Sequence, residues 1–338
     1  MDSLTQIVLG AAVGEAVLGK KVGNKALLWG AVAGTIPDLD VIARFLTDTI
    51  TATEMHRGFS HSILFSILAA PLFGWLVSKI HHKLDVRWKD WAWLFFWGFF
   101  THPLLDAFTT WGTQLFWPWD WRLAFNSIFV IDPLYTVPFL VCVVWVLFKK
   151  RGSPDNYRDS RKRINNWGLY LSTGYLLLTL VIKFFAHQQF ASDLDKQGIT
   201  YTQISSRPAP LNTILWNANV DTQDAYLVGD YSFFDSQSIQ WKSYPKNRTA
   251  AQEWIAKPEV QRLIDISEGW YILEQENDDW IFNDLRFGLI PIDPEHPQFV
   301  FRYKLTTENN KVIAIEDRPQ PENTKAVFGT LWERIKGN

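Results

Sequence analysis

The chain of 338 residues contains one cysteine, Cys142, and it lies within an apolar run. A lone thiol excludes a disulfide framework and a thiolate metal site. Strong charge of either sign is also missing: 33 Lys and Arg against 35 Asp and Glu leave a formal net charge of −2. Nucleic-acid binding calls for a basic surface, so nucleic acid is not expected as a partner. No basic region precedes the apolar stretch 4–18, which carries Glu15, so a retained first helix is expected there rather than a cleaved signal peptide. No internal repeat or low-complexity tract is present, and beyond about residue 187 no apolar run is long enough to span a bilayer.

Residues 1–186, by contrast, hold nearly all the long apolar runs. Membrane helices are expected at 4–18, 25–44, 60–80, 91–112, 133–149 and 168–186. The first two are short or interrupted, and Gly10, Ala11, Gly14, Gly30, Ala33 and Gly34 would let them pack closely. Several of the 18 tryptophans sit at the ends of apolar runs, as in an interfacial aromatic belt. Lys149, Lys150, Arg151, Arg158, Arg161, Lys162 and Arg163, against Asp155 and Asp159, place the loop after the fifth helix in the cytoplasm. Alternation puts loops 19–24 and 81–90 on the same side, and both are basic (Lys20, Lys21, Lys83, Arg87, Lys89). The N-terminus, loops 45–59 and 113–132 and residues 187–338 then face outside. The expected fold is a polytopic α-helical membrane domain of about six helices (1–186) followed by an extracytoplasmic soluble α+β domain (187–338). In the latter, 225–231 and 299–305 have strand patterning. The second pairs with 311–315 across a Glu308-Asn309-Asn310 turn, and 250–267 and 324–336 are helical.

His102 and Asp106 lie four apart inside a predicted membrane helix. That spacing puts both on one face, about 6 Å apart along the axis, where an imidazole and a carboxylate can grip one metal ion. Ionisable groups inside a span are costly and mark functional sites. His56-Arg57-Gly58-Phe59-Ser60-His61-Ser62 is the tightest cluster: Ser60 is a cap for the third helix, Gly58 allows a tight turn, and Arg57 suits an anionic oxygen. In Pro37-Asp38-Leu39-Asp40, two carboxylates can share one ion or divide between two. Asp132, ahead of Pro133, is a partner that orients a metal ligand, a ligand itself or a helix cap, and Asp2 is more simply a cap. By the predicted topology every one of these groups collects at the outer membrane face. Glu15 pairs in this reading with Lys20 or Lys21, His81 and His82 are interfacial, and His187 and His296 have no partner visible in the sequence. Mixed imidazole and carboxylate ligation suits Zn²⁺, or Mn²⁺ or Fe²⁺, in a one- or two-ion site that activates water, with a spare aspartate as general base.

The start Met1-Asp2-Ser3-Leu4-Thr5, the Pro37-Asp38-Leu39-Asp40 element, the His56–Ser62 heptapeptide and Thr101-His102-Pro103-Leu104-Leu105-Asp106 occur in an order that resembles the YdjM-like family of inner-membrane proteins. That family is described as membrane-bound metal-dependent hydrolases, in part linked to LexA regulation, and the resemblance covers about residues 1–186. It implies a multi-pass protein of a bacterial or archaeal inner membrane with a metal-dependent hydrolytic site. More distantly, the order of Asp, His and His-x-x-x-Asp is similar to the ligand pattern of zinc-dependent phospholipase C enzymes. By that analogy Asp40, His56 or His61, His102 and Asp106 become metal ligands and Asp132 a later acidic ligand, while the residues themselves leave Asp38 as a spare carboxylate and Arg57 as the group for an anionic oxygen. The chain departs from the pattern at Gln6, where many relatives have histidine, and in having no histidine soon after Asp106, so one or two ions are expected.

The expected function is a metal-dependent hydrolase at the outer membrane face, acting on a phosphoester or lipid-like small molecule, with membrane lipid as its surroundings. Two alternatives stay open: a metal-ion or ion-coupled transporter, and a non-catalytic envelope scaffold with a structural metal.

Overall fold

The computed structural model describes residues 1–149, 157–290, 298–308, 311–318 and 324–338. Lys150, Arg151 and Asp155 of the basic loop, His296 and the Asn309-Asn310 turn lie outside the described residues. The chain forms two compact units: Met1–Ala43, Met55–Val181 and Pro210–Asn212 make the first, and Arg44–Glu54, Ile182–Ala209 and Thr213–Asn338 the second.

The first unit is helical. Helix α1 (Ser3–Val22) is capped by Asp2, whose carboxylate accepts from the Thr5 amide at 3.1 Å. After Gly23, α2 (Asn24–Thr35) packs against α1 through the small residues the sequence offers: a Cβ at Gly10 would collide with the Gly30 carbonyl, and one at Gly14 with the Ala26 carbonyl. From Ile36 the chain tightens into a 3-10 stretch, Ile36–Phe45, where Pro37 has no amide to continue the α-helical ladder. A short α3 (Thr49–Met55) follows. Helix α4 (Ile63–Ile80) is capped by Ser62, which accepts from the Phe65 amide at 3.0 Å. The cap expected at Ser60 therefore falls two residues later, because Phe59–His61 forms its own 3-10 turn.

Helices α5 (Trp88–Asp106), α6 (Pro133–Phe148) and α7 (Tyr157–Lys196) complete the described helices before the sheets. Trp91, Leu94, Phe95 and Phe99 of α5 are fully buried against Leu18, Val22, Ala33 and Val77. Val8, Leu9, Leu105, Ile128, Tyr135 and Phe139 form a second core. Glu15 pairs not with Lys20 or Lys21, as expected, but with Arg161: Nε and Nη2 donate to its two carboxylate oxygens at 2.7 and 2.8 Å. A guanidinium fork matches a buried carboxylate better than a lysine can; Lys21 bonds Asp90 at 2.9 Å instead. Among the described residues, three helical segments are long and apolar enough to cross a membrane: Asn24–Phe45, Ile63–Ile80 and Ser160–Lys196; Pro133–Phe148 is apolar but shorter. Helices α1 and α5 have the length but carry charged residues, among them Glu15, Lys20, Lys21, Lys89, Asp90 and Asp106.

In the second unit β1 (Gln203–Pro208), β2 (Leu215–Asp221), β3 (Ala225–Ser232) and β4 (Lys242–Pro245) form one antiparallel sheet in chain order. A helical interval follows: α8 (Gln252–Ile255) and α9 (Pro258–Ile266). The helical stretch expected at 250–267 divides into these two, since Pro258 lacks an amide and opens a new first turn. Strands β5 (Tyr271–Glu276), β6 (Asp279–Ile290), β7 (Gln298–Glu308) and β8 (Lys311–Asp317) make the second antiparallel sheet, and α10 (Thr324–Ile335) ends the chain's described elements. The expected β7–β8 pairing is present, with Leu305 opposite Ala314. Ala186 and Phe190 pack with Trp216, Ala218 and Ile239. Segment 44–54 belongs to this unit, and in it Arg262 bonds both carboxylate oxygens of Glu54 at 2.8 and 2.6 Å.

Candidate metal centre

The last carbonyls of an α-helix lack a partner within the helix. At the end of α2 the Gly34 carbonyl lies 2.7 Å from His102 Nδ1. A carbonyl only accepts, so Nδ1 of His102 carries the proton and Nε2 keeps its lone pair. His61 is set the same way: its Nδ1 lies 2.9 Å from Ser60 Oγ and 3.4 Å from Asp40 Oδ2. With that proton directed to the carboxylate, His61 Nε2 also presents a lone pair. The two Nε2 atoms stand 3.0 Å apart. Two lone pairs repel at such a distance unless a cation or a proton lies between them.

Two carboxylates converge on the same point. Asp38 Oδ1 is 3.4 Å from each Nε2, and Asp106 Oδ2 is 3.4 Å from His61 Nε2 and 3.3 Å from His102 Nε2. The ligand atoms of Asp38, His61, His102 and Asp106 all lie within 4.8 Å of one another. Donors about 2.0–2.1 Å from one four-coordinate ion would stand about 3.3 Å apart, close to the 3.0–3.4 Å separations that involve the two imidazoles. Asp106 Oδ2 is buried and has no hydrogen-bond partner among the described residues. An orphaned carboxylate oxygen in the interior is costly unless a cation satisfies it. The residues present therefore fit a divalent metal ion.

Local sequence explains how these groups reach one place. On α5 the i, i+4 spacing stacks His102 over Asp106, as the sequence leads one to expect. Asp38 and Asp40 sit on the 3-10 stretch, where successive residues turn by about 120° and positions two apart face different ways. Asp38 accordingly faces the cluster, and Asp40 faces the His56–His61 loop. There Asp40 accepts from the Arg57 amide at 2.7 Å and Ser60 Oγ at 3.2 Å, and lies 3.1 Å from His56 Nδ1. These bonds hold the loop through Arg57, whose φ of 56° lies in the left-handed region.

Among the residues singled out from the sequence, the structure gathers Asp38, His61, His102 and Asp106 around one point. Asp40 and His56 lie beside that group, joined to each other, with His56 half-buried against Trp111. Arg57 is buried: Nη1 donates to Thr109 Oγ1 at 2.8 Å, and Nη2 is 3.4 Å from Asp106 Oδ1. Burial lowers its guanidinium to about 10, so it stays charged at neutral pH. Asp132 caps α6, accepting from the Leu134 and Tyr135 amides at 2.9 and 3.2 Å and from the Tyr175 hydroxyl at 2.9 Å. Gln6 is buried and donates to the His102 carbonyl at 3.3 Å, while its Oε1 has no partner among the described residues. Sequence reasoning had no signal for the Gly34 carbonyl or Thr109, nor for the Met1 amine that donates to Asp106 Oδ1.

A model of the YdjM inner membrane protein family matches residues 1–190. The inner membrane protein YbcI of Escherichia coli (strain K12) is 27% identical over 119 residues, which cover 35% of this chain and 66% of YbcI. The chain thus spans just under two thirds of that relative's length. No solved structure matches it.

Proposed function

The chain belongs to the YdjM inner membrane protein family, and on that footing we propose that it is a membrane-bound metal-dependent hydrolase acting on a phosphoester or lipid-like substrate. The observation that carries this reading is the convergence of two imidazole lone pairs and two carboxylates at 3.0 to 3.4 Å. In this reading the membrane domain has six helices, the basic loops are cytoplasmic, the centre opens to the outer face, and the C-terminal domain is extracytoplasmic.

His61, His102 and Asp106 would hold the ion; a His and Asp set suits zinc, with manganese or iron as alternatives. When bound, such a cation supplies Lewis acidity, which makes water a nucleophile at neutral pH and stabilises charge on the attacked group. Asp38 is the one member of the four whose side chain meets solvent, at 20% exposure. It therefore stands where substrate enters, as fourth ligand or as acceptor of the proton that water gives up. Arg57, fixed by Thr109, offers a guanidinium to an anionic oxygen of the substrate. A phosphoester supplies that oxygen, which is why this substrate class is favoured over a neutral amide.

Metal analysis of detergent-purified protein tests the site. Wild type is expected to carry about one ion per chain, two at most, and His102→Ala to carry none; full metal content in the variant would reject the assignment. A panel of phosphoester, ester and amide substrates then tests the reaction, and bound metal with no turnover across it would favour a structural metal. An ion-coupled transporter is the second reading, favoured by the buried Glu15–Arg161 pair elsewhere in the helical unit. Metal uptake by proteoliposomes distinguishes it.

A further inference from the structure

The segment that follows α5 carries a concentration of exposed aromatic surface. Thr113 and Leu123 pair through both backbone bonds, at 3.1 and 2.9 Å, and close a hairpin over the intervening residues. Its tip exposes Phe116, Trp117, Trp119 and Trp121, with Trp119 71% exposed, and Asp120 is the single charge among residues 116–121. The Phe116 and Trp121 rings are stacked at 5.8 Å, so the tip is a formed surface.

The hairpin is tied to the loop that carries the metal-centre residues. Gln114 N donates to the Arg57 carbonyl at 3.0 Å, Arg122 Nη1 donates to the His56 carbonyl at 3.0 Å, and the Trp117 ring packs on Phe59 at 5.0 Å. Its level relative to a bilayer follows from one more bond. The amide of Ile63, first residue of α4, donates to the Leu115 carbonyl at 3.0 Å. Helix α4 has 18 residues and is one of the membrane-length apolar helices. At 1.5 Å per residue it is about 27 Å long, close to the hydrocarbon thickness of a bilayer. A hairpin bonded to the end of such a helix lies at the membrane–water boundary, where tryptophan is most favourable because one part of its ring system is apolar and its N–H is polar.

We infer that the 113–123 hairpin is an interfacial anchor that seats Trp117, Trp119 and Trp121 in the lipid headgroup layer, and that the adjoining metal centre takes its substrate as an amphiphile lying in that layer. The seating rests on α4 spanning the membrane; the substrate class rests in addition on the hydrolase reading. The lipid layer is the favoured occupant over a protein partner because the tip ends a membrane-length helix and holds almost no charge.

A single cysteine reports the depth. Trp119→Cys in a Cys142→Ser background, labelled with bimane, is placed as full chain in nanodiscs of phosphatidylethanolamine and phosphatidylglycerol. Quenching by lipid carrying a nitroxide at the headgroup or upper acyl chain is expected to exceed quenching by aqueous iodide several-fold. Iodide quenching the stronger would overturn the proposal, as would protection from both quenchers, which would place a protein surface over the tip. Adding His102→Ala is expected to remove metal and leave the quenching unchanged. A failed metal reading would show as wild-type protein without bound metal but with lipid quenching intact, so the two failures are separable.

Discussion

Asp38 and Asp40 differ little as chemical groups, yet the fold gives them different work. Asp38 Oδ1 meets both imidazole Nε2 atoms, whereas Asp40 bonds the Arg57 amide and lies beside His56 and the far nitrogen of His61. Partners that orient a ligating histidine typically contribute 10–100-fold to metal affinity, while removal of a ligand is more severe. Asp40→Asn is therefore expected to weaken binding of a divalent metal by about 10–100-fold. Asp38→Asn is expected to cost more affinity if its carboxylate is a ligand, or to leave binding intact and reduce turnover if it is the proton acceptor. Competition titration of the purified proteins with a chromophoric chelator, beside an activity assay, separates these outcomes. An unchanged affinity in Asp40→Asn would remove its orienting role. The division between the two aspartates was not legible in the sequence, because it depends on the 3-10 turn that follows Pro37. The His102 and Asp106 pair was legible, because α-helical spacing alone puts both on one face.

At the scale of elements, helix α2 links packing to the centre. Its Gly30 meets the backbone of Gly10 and Gly14 on α1, and one turn later its Gly34 carbonyl fixes the His102 ring. Gly30→Leu would force the two helices apart, with a cost of about 1–3 kcal/mol or more for overpacking. The displaced carbonyl would then release the proton-bearing face of His102. The variant is expected to melt earlier than wild type and to bind metal less tightly, both measurable in detergent by thermal scanning and metal titration. Unchanged metal affinity in a folded, destabilised protein would uncouple the helix packing from the centre. Close packing of α1 on α2 was readable from the small residues themselves. The Glu15–Arg161 pair was not, since its partners are 146 residues apart and only the folded bundle brings them together. The same holds for Tyr175, which reaches Asp132 from another helix.

For the whole molecule, the sequence made the order of parts legible: helices first, then a sheet-rich region with strands near 225–231, 299–305 and 311–315. It did not show that the region forms two four-stranded sheets, or that Arg44–Glu54 joins the second unit through contacts such as Arg262 with Glu54. Strand pairing and insertion depend on contacts between distant residues, which local patterning does not encode. The proposed sidedness of the molecule rests on charge instead. Lys20, Lys21, Lys83, Arg87 and Lys89 fall in loops of one predicted side, and in the proposed topology residues 187–338 are expected on the other. In a Cys142→Ser background, Asp224→Cys in the β2–β3 turn is accordingly expected to react with a membrane-impermeant thiol reagent in intact spheroplasts. Lys83→Cys, in the loop between α4 and α5, is expected to react only after lysis. The opposite pattern would invert the molecule and place the metal centre at the cytoplasmic face. Labelling of both sites in intact spheroplasts would remove the odd number of crossings between residues 83 and 224 that the six-helix arrangement requires.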